Sequence, residues 1–277
     1  MRTLELSGGG SIPVLGQGTW YMGDDARKRV EEIRALQTGI DLGLTLIDTA
    51  EMYGNGKSET LVGEAIAGRR DQVFLVSKVL PSNASRKGTR AACENSLKRL
   101  RTDVIDLYLL HWEGSYPFEE TVAGMADLLE AGKIRHWGVS NLDVAEMEEF
   151  FSLPGGTACA VNQVLYNLSR RGVEYNLLPW CLERSLPVMA YSPVEQGRIL
   201  TNPSLKRVAE RLGATPAQTA LAWVLERPGV MAIPKAGTAA HVAENAKSLD
   251  ITLSARDKAE LDAAFPPPAC RIPLQML

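Results

Sequence analysis

The sequence predicts a single (β/α)8 barrel, and three features of the chain indicate it. Eight short apolar stretches that suit buried strands alternate with helical patterns along the 277 residues. The composition does not shift along the chain, and no linker separates two parts. The competing open doubly wound sheet usually carries G-x-G-x-x-G when it binds a dinucleotide, and that motif does not occur. We therefore predict one barrel domain over residues 1–277.

The predicted strands are short apolar runs, and the predicted helices repeat apolar residues about every 3.6 positions. The strands are Leu15–Thr19, Leu44–Ile47, Val73–Ser77, Leu107–Leu110, Trp137–Val139, Cys159–Asn162, Val188–Ala190 and Met231–Ile233. The helices lie at about Arg27–Leu42, Ser58–Ala67, Gly88–Leu100, Phe118–Glu130, Asp143–Phe151, Val173–Arg184, Pro216–Glu226 and Ala240–Ser248. Thr215 predicts the start of one helix. It is followed by a first-turn proline and by Gln218, which can complete a capping box with it.

Two further elements flank the predicted barrel. The run Gly8-Gly9-Gly10 separates Thr3–Leu6 from Ser11–Val14, which predicts a β-hairpin that covers the barrel floor. An extra C-terminal helix is expected at about Ala255–Ala264, followed by three prolines and a short tail.

Charge and composition exclude several classes of function. The net charge is -3 without a basic cluster, so neither nucleic acid nor an anionic membrane is an expected partner. No stretch approaches the ~18 uninterrupted apolar residues of a membrane span, and the N-terminus lacks a signal-peptide layout. The four cysteines show no paired spacing, which favours reduced thiols in a cytoplasmic protein. The three histidines fit no zinc motif, so no metal site is predicted.

Polar or aromatic side chains follow almost every predicted strand. In a barrel the C-terminal ends of the strands meet at one rim, where barrel enzymes place their chemistry. Packing does not explain such a set, because burying an unpaired polar group costs roughly 1–3 kcal/mol. The side chains at these ends are Trp20, Asp48, Lys78, His111, Ser140, Asn141, Gln163, Tyr191 and Lys235. The rim is therefore the predicted site.

Two of these residues, Asp48 and Lys78, together with Tyr53 predict a proton donor. Lys78 ends the strand next to that of Asp48, so its ammonium can reach the carboxylate and each charge compensates the other. Tyr53, in the loop after Asp48, can then lie beside Lys78, whose charge is expected to lower the pKa of the phenol. Such a tyrosine can protonate a developing alkoxide near neutral pH. His111 is expected to donate a hydrogen bond that orients a carbonyl oxygen.

These residues and their contexts resemble the aldo-keto reductase family. Its aspartate, tyrosine, lysine and histidine fall on Asp48, Tyr53, Lys78 and His111, within "DTAEMYGN", "VSKV" and "LLHW". The resemblance continues through "GVSN", "NQVLYN", "AYSP" and "IPKAGTAAHVAEN", and it covers nearly the whole chain. The stretches "GQGTWYMG", "LTLIDTAEMY" and "LLPWC" are similar to methylglyoxal reductase-like bacterial members of the family.

The resemblance implies a carbonyl reductase that uses NADPH, with NADH as a weaker alternative. It implies that Ser140, Asn141 and Gln163 bind the nicotinamide carboxamide and that Tyr191 stacks on the ring. The other implied cofactor residues are Gly18, Thr19, Trp20, Ser192, Gly197, Lys235, Thr238, His241, Glu244 and Asn245. Many family members have an arginine where His241 stands. Since imidazole lacks the charged fork of arginine, we expect a smaller preference for NADPH.

The expected substrate is a small aldehyde or 2-oxoaldehyde such as methylglyoxal. Trp20, Tyr21 and Trp112 are expected to form an aromatic wall around it. The short tail after Pro268 offers little cover for a long channel, which disfavours bulky ketones. We expect a monomer.

Two other functions stay open. A Schiff-base aldolase would use Lys78 or Lys235, although Asp48 would keep Lys78 protonated. A dinucleotide-binding regulatory barrel would signal cofactor occupancy to a partner with little or no turnover, although the chain carries no extra interaction domain.

Overall fold

A computed structural model describes residues 2–277 and has a barrel of eight parallel strands at its centre. The hairpin strands are β1 (Thr3–Glu5) and β2 (Ser11–Pro13). The barrel strands are β3 (Gly16–Gly18), β4 (Leu46–Asp48), β5 (Phe74–Val79), β6 (Ile105–Leu110), β7 (Ile134–Ser140), β8 (Cys159–Leu165), β9 (Val188–Tyr191) and β10 (Val230–Ala232). Parallel bridges from Leu15 to Ala232 and from Gly18 to Lys235 join the first and last strands. The predicted (β/α)8 fold class is confirmed.

Helices follow the strands around the outside of the barrel. They are α1 (Arg29–Asp41), α2 (Lys57–Ala65), α3 (Arg86–Leu100), α4 (Phe118–Glu130), α5 (Val144–Ser152), α6 (Leu177–Glu183), α7 (Pro203–Arg211), α8 (Pro216–Leu225), α9 (Ala239–Ala246) and α10 (Ala255–Ala264). The capping box of Thr215 with Gln218 begins α8, as predicted.

Helix α7 was missed by the sequence analysis. Asn202 caps it by accepting hydrogen bonds from the N–H groups of Ser204 and Leu205, and Pro203 occupies the first turn. This asparagine–proline pair is a recognisable start signal. Helix α7 packs against α10, and the ion pair between Arg211 and Asp257 joins the two helices.

The predicted helix Val173–Arg184 is broken into two pieces. A single 3-10 turn covers Gly172–Glu174, and α6 begins only at Leu177. Pro179 explains the break, because in a continuous helix its ring would clash with the carbonyl of Tyr175. In α6 the proline lies in the first turn, where it is tolerated.

The hairpin covers the floor of the barrel, as predicted. Leu6 and Ile12 are buried in the core. The hydroxyl of Ser7 donates to the carbonyl of Cys159 at the start of β8, 3.2 Å away, which fixes the hairpin to the floor.

Three of the four cysteines are buried, and burial raises the pKa of Cys93, Cys159 and Cys181 to about 12. All four are unpaired thiols, as expected, and Cys270 is exposed. Between residues 2 and 277, no helix combines the length and apolar character needed to cross a bilayer. The same part of the chain holds no group of three or more His, Cys, Asp or Glu suited to a metal ion.

Candidate active site

Lys78 lies at the rim, and its polar contacts are to the end of the neighbouring strand β4 and to the loop that follows it. Its ammonium donates to Asp48 Oδ2 at 2.8 Å, to the carbonyl of Thr49 at 2.9 Å and to the Tyr53 hydroxyl at 3.1 Å. The Lys78 side chain is completely buried, and that of Asp48 is 3% exposed. Because an ammonium has three N–H donors, these contacts use its full capacity. The strand ends therefore bring together the three residues that the sequence analysis grouped.

A tight turn carries Tyr53 back onto Lys78. Gly54, Asn55 and Gly56 all have positive φ, at 57°, 52° and 85°. Glycine is favoured at position 56, because residues with a Cβ rarely adopt a φ of 85° and a Cβ there would also lie 2.5 Å from Arg99 Cδ. This left-handed run reverses the chain directly after Tyr53 and leads into α2.

Glu59 fixes the start of α2 and was not among the residues predicted from the sequence. Its carboxylate is fully buried and accepts hydrogen bonds from the Ser77 hydroxyl, 2.6 Å away, and from Arg99 Nε. Since Ser77 precedes Lys78 on β5, Glu59 ties the segment that carries Tyr53 to the strand that carries Lys78. The available signal was an acidic residue on the inward-facing side of a predicted helix.

The net pKa shift of Tyr53 is opposite to the one expected. Burial raises the pKa of the phenol, Lys78 opposes this, and Asp48 adds to the increase, so the pKa lies above its ordinary value. The ammonium cannot replace all the water that would solvate a phenolate. For Lys78, burial alone would lower the pKa, but Asp48 and Tyr53 more than offset this and raise it. The site therefore holds a protonated phenol beside a charged lysine.

His111 is a neutral imidazole beside the phenol. Its ring meets the Tyr53 ring edge-on, with 5.8 Å between ring centroids. Burial, assisted by the charge of Lys78, lowers the pKa of His111 to about 2. A neutral imidazole keeps one N–H, which can donate to a carbonyl oxygen.

Two adjoining cavities meet at these residues, and Trp20, Tyr53 and Tyr191 line both. The smaller, of about 190 Å³, is also lined by Met52, His111, Trp112, Ser140, Asn141, Gln163, Met276 and Leu277. The larger, of about 530 Å³, runs from Asp48 to Lys235, and its further lining includes Gly18, Thr19, Tyr21, Ser192, Gln196, Gly197, His241, Glu244 and Asn245. Most residues expected at a cofactor site thus line one continuous cleft, while the expected carboxamide residues line the smaller cavity.

Several of the expected cofactor residues already have hydrogen-bond partners within the protein, and Thr19, Thr238 and Gln163 are among them. The Thr19 hydroxyl donates to the Asp48 carbonyl at 2.9 Å. Thr238 lies outside both cavity linings, and its hydroxyl caps α9 by accepting from the His241 N–H. Gln163 Nε2 donates to Asp48 Oδ1 at 2.8 Å, so this amide also holds the carboxylate that contacts Lys78.

Two observations concern the expected substrate pocket. Tyr21 stacks on Trp20, with 4.4 Å between ring centroids, but it lines the larger cavity and not the smaller one. The tail does cover the mouth, because Met276 and Leu277 line the smaller cavity. Arg271 of the tail also forms an ion pair of 2.9 Å with Asp143.

The far end of the larger cavity suits a phosphate group. Lys235 and His241 line it, and α9 begins beside them. The first N–H groups of a helix and its positive dipole end favour an anion. The residues present therefore fit a phosphorylated dinucleotide along this cleft.

Comparisons with known proteins agree with this geometry. Residues 14–265 match the aldo/keto reductase family. Methylglyoxal reductase YeaE of Escherichia coli (strain K12) is 55% identical, with 100% of this chain and 99% of the relative covered. Glyoxal reductase of Bacillus subtilis (strain 168) is 33% identical, with 94% and 92% covered. An aldo/keto reductase from Klebsiella pneumoniae in complex with NADP and acetate has a TM-score of 0.97, 51% identity and 99% coverage of both chains.

Proposed function

The chain belongs to the aldo/keto reductase family, and we propose that it reduces small aldehydes and 2-oxoaldehydes with NADPH. The observation that carries the proposal is the buried Lys78 ammonium, which contacts both Asp48 and the Tyr53 hydroxyl where two cavities meet. The similarity to a methylglyoxal reductase supports the substrate class. The Klebsiella pneumoniae structure in complex with NADP supports the cofactor.

In the proposed reaction Tyr53 is the general acid. NADPH, when bound, would supply the hydride that the carbonyl carbon accepts. Tyr53 gives its hydroxyl proton to the carbonyl oxygen, and Lys78, 3.1 Å from the phenol oxygen, stabilises the phenolate that remains. Asp48 keeps Lys78 charged against the effect of burial. The neutral His111 orients the carbonyl oxygen by donating one hydrogen bond.

The other expected residues bind the cofactor in this proposal. Ser140, Asn141 and Gln163 would bind the carboxamide, and Tyr191 would stack on the nicotinamide. Lys235 and His241 would bind the ribose 2′-phosphate at the far end of the larger cavity. Because His241 provides no fixed charge, NADPH is preferred over NADH by a smaller margin than an arginine would give. We further propose that the protein acts as a single-domain monomer in the cytoplasm, a reducing compartment that suits its four unpaired thiols.

The contacts of Lys78 disfavour the Schiff-base alternative. A lysine must lose its proton to attack a carbonyl, and Asp48 and Tyr53 raise the pKa of Lys78. The regulatory alternative differs from the proposal in turnover alone, so an activity assay decides between them.

The experiment is a kcat/KM panel with NADPH as the reductant. Methylglyoxal and other compact aldehydes should exceed bulky alicyclic ketones by about tenfold or more, because the 190 Å³ cavity excludes large groups. A preference for bulky ketones would refute the substrate class. Tight NADPH binding without turnover of any carbonyl would favour the regulatory barrel.

A further inference from the structure

The loop after β9 adopts an unfavourable backbone conformation along one wall of the larger cavity. Ser192, Glu195 and Gln196 have φ of 47°, 48° and 54°, and Gly197 follows at 86°. Residues with a Cβ rarely adopt positive φ, and such strain persists only where neighbouring groups hold it. Ser192, Gln196 and Gly197 line the cavity, so the strained segment is part of the cleft itself.

Glu195 is the residue of this segment that is turned away from the cleft. It is absent from the cavity lining and only 4% exposed. Arg170 donates to Glu195 Oε1 through Nε at 3.1 Å and through Nη2 at 2.9 Å. Arg198 Nη2 lies 3.3 Å from the same oxygen. Burial alone would raise the pKa of Glu195, but Arg170 and Asn167 hold it below its usual value, so the carboxylate is ionised at neutral pH.

Asn167 connects the loop to the end of β8. Its amide Nδ2 donates to the carbonyl of Ser192 at 2.9 Å and to Glu195 Oε2 at 2.8 Å. Its Oδ1 accepts from the N–H groups of Ser169 and Arg170, at 2.9 and 3.1 Å. Asn167 is completely buried, so it is a fixed support for the loop.

We propose that Glu195 is a positioning residue that, through Asn167 and Arg170, holds the 192–200 loop in the shape that binds the dinucleotide and slows its release. Without this anchor the loop relaxes to ordinary φ values, and binding must order it again. Affinity then falls because preorganisation is lost, although Glu195 does not itself line the cleft. The inference rests on the proposed NADPH site.

Two variants test this anchor by removing charges of opposite sign. Glu195→Gln removes a negative charge near the cleft, and Arg170→Met removes a positive charge. Simple electrostatics would move the NADPH dissociation constant in opposite directions, whereas loss of the anchor raises it in both. We expect an increase of about tenfold in each variant, mostly through faster dissociation. The readouts are quenching of tryptophan fluorescence by NADPH, with Trp20 lining the cleft, and stopped-flow displacement.

A second readout separates positioning of the loop from damage to the site. At saturating NADPH, the single-turnover reduction rate should stay within about twofold of wild type, because the Tyr53 and Lys78 contacts do not involve this loop. Arg170→Lys should be intermediate, since it keeps the charge and loses the fork. Glu260→Gln is the matched control: Glu260 also pairs with two arginines, Arg207 and Arg211, but on α10. It should leave NADPH binding unchanged.

The outcomes are distinguishable. Unchanged NADPH affinity in both variants, or shifts of opposite sign, would overturn the anchor while leaving the proposed function intact. A single-turnover rate that falls in step with affinity would also overturn it. If Glu195→Gln does not fold, Arg170→Met carries the test, because the Arg170 side chain is 34% exposed. Wild-type protein that fails to bind NADPH would overturn the proposed function and this inference together.

Discussion

The rim and the floor of the barrel each contain a buried carboxylate paired with cations, yet their surroundings differ. At the rim, Asp48 contacts the fully buried Lys78, which also reaches a phenol beside two cavities. At the floor, Asp106 near the start of β6 contacts Arg70 and Arg135, each at 2.7 Å, and these side chains are 23% and 63% exposed. The floor cluster also accepts the Leu75 N–H and joins the strand starts. A similar charge pairing thus serves packing at one end and supports a proton donor at the other.

The histidines of the two ends differ in the same way. His111 at the rim is almost fully buried against Tyr53, whereas His136 on β7 is partly buried beside the hairpin turn at Gly10. Burial lowers the pKa of both, and Asp106 opposes the shift at His136. Because both residues are histidines, the difference in their pKa shifts follows from how completely each ring is buried.

Removal of the phenol hydroxyl at the rim is expected to have the largest effect, which is on kcat. Tyr53→Phe should lower kcat by about 10²–10⁴-fold, because the proton donor is lost. The NADPH dissociation constant should remain close to that of wild type, since Phe keeps the ring. Steady-state kinetics with methylglyoxal and a binding titration check both parts. Near-wild-type kcat in this variant would mean that the rim is not where protonation occurs.

The two histidines should differ in how they link stability to pH. His111 has a folded pKa of about 2, below the ~6.5 of an unfolded histidine. As pH falls below 6.5, only the unfolded state takes up the proton, so stability present above that pH is progressively lost. The loss reaches about 2 kcal/mol at pH 5.

Urea unfolding near pH 7 and pH 5 measures this linkage. His111→Gln should lack about 2 kcal/mol of the wild-type loss between the two pH values. His136→Gln is the control at the barrel floor. It should remove less of the wild-type loss of stability between the two pH values, because the His136 imidazole is only partly buried. Equal pH dependence in wild type and His111→Gln would contradict a buried neutral imidazole.

Matched substitutions of the two carboxylates come next in size. Asp48→Asn should lower kcat by about tenfold, because burial then acts on Lys78 without its main opposing charge. Asp106→Asn should leave kcat within about twofold while lowering the free energy of unfolding by about 2 kcal/mol. Kinetics and urea unfolding of both variants test the contrast. If Asp106→Asn lost as much kcat as Asp48→Asn, the floor carboxylate would not differ from the rim carboxylate in its role.

The smallest expected effect concerns cofactor choice at the far end of the larger cavity. His241→Arg should increase the preference for NADPH over NADH by about fivefold, because arginine adds a fixed charge and a fork that suits phosphate. Dissociation constants for both dinucleotides give the ratio, and the NADH value serves as an internal control. An unchanged ratio would show that position 241 does not meet the 2′-phosphate.

The sequence by itself determined the barrel and the residues that meet at its rim. Strand and helix patterns are local, and parallel strands of a barrel bring their C-terminal ends together. The positions of Asp48, Lys78 and His111 at the strand ends therefore followed from alternation alone, and the Asp48–Lys78 contact is present in the structure. The hairpin followed from a glycine turn between two short strands.

Only the tertiary structure decided the groups that act through distant contacts. The Arg271–Asp143 pair between the tail and the start of α5 spans 128 positions, and the Asn167–Glu195 contact spans 28. No local pattern encodes such pairs, because they depend on how separate loops fold over the same rim. The pKa of Tyr53 was likewise decided by packing, since the opposing effects of burial and Lys78 depend on how completely water is excluded.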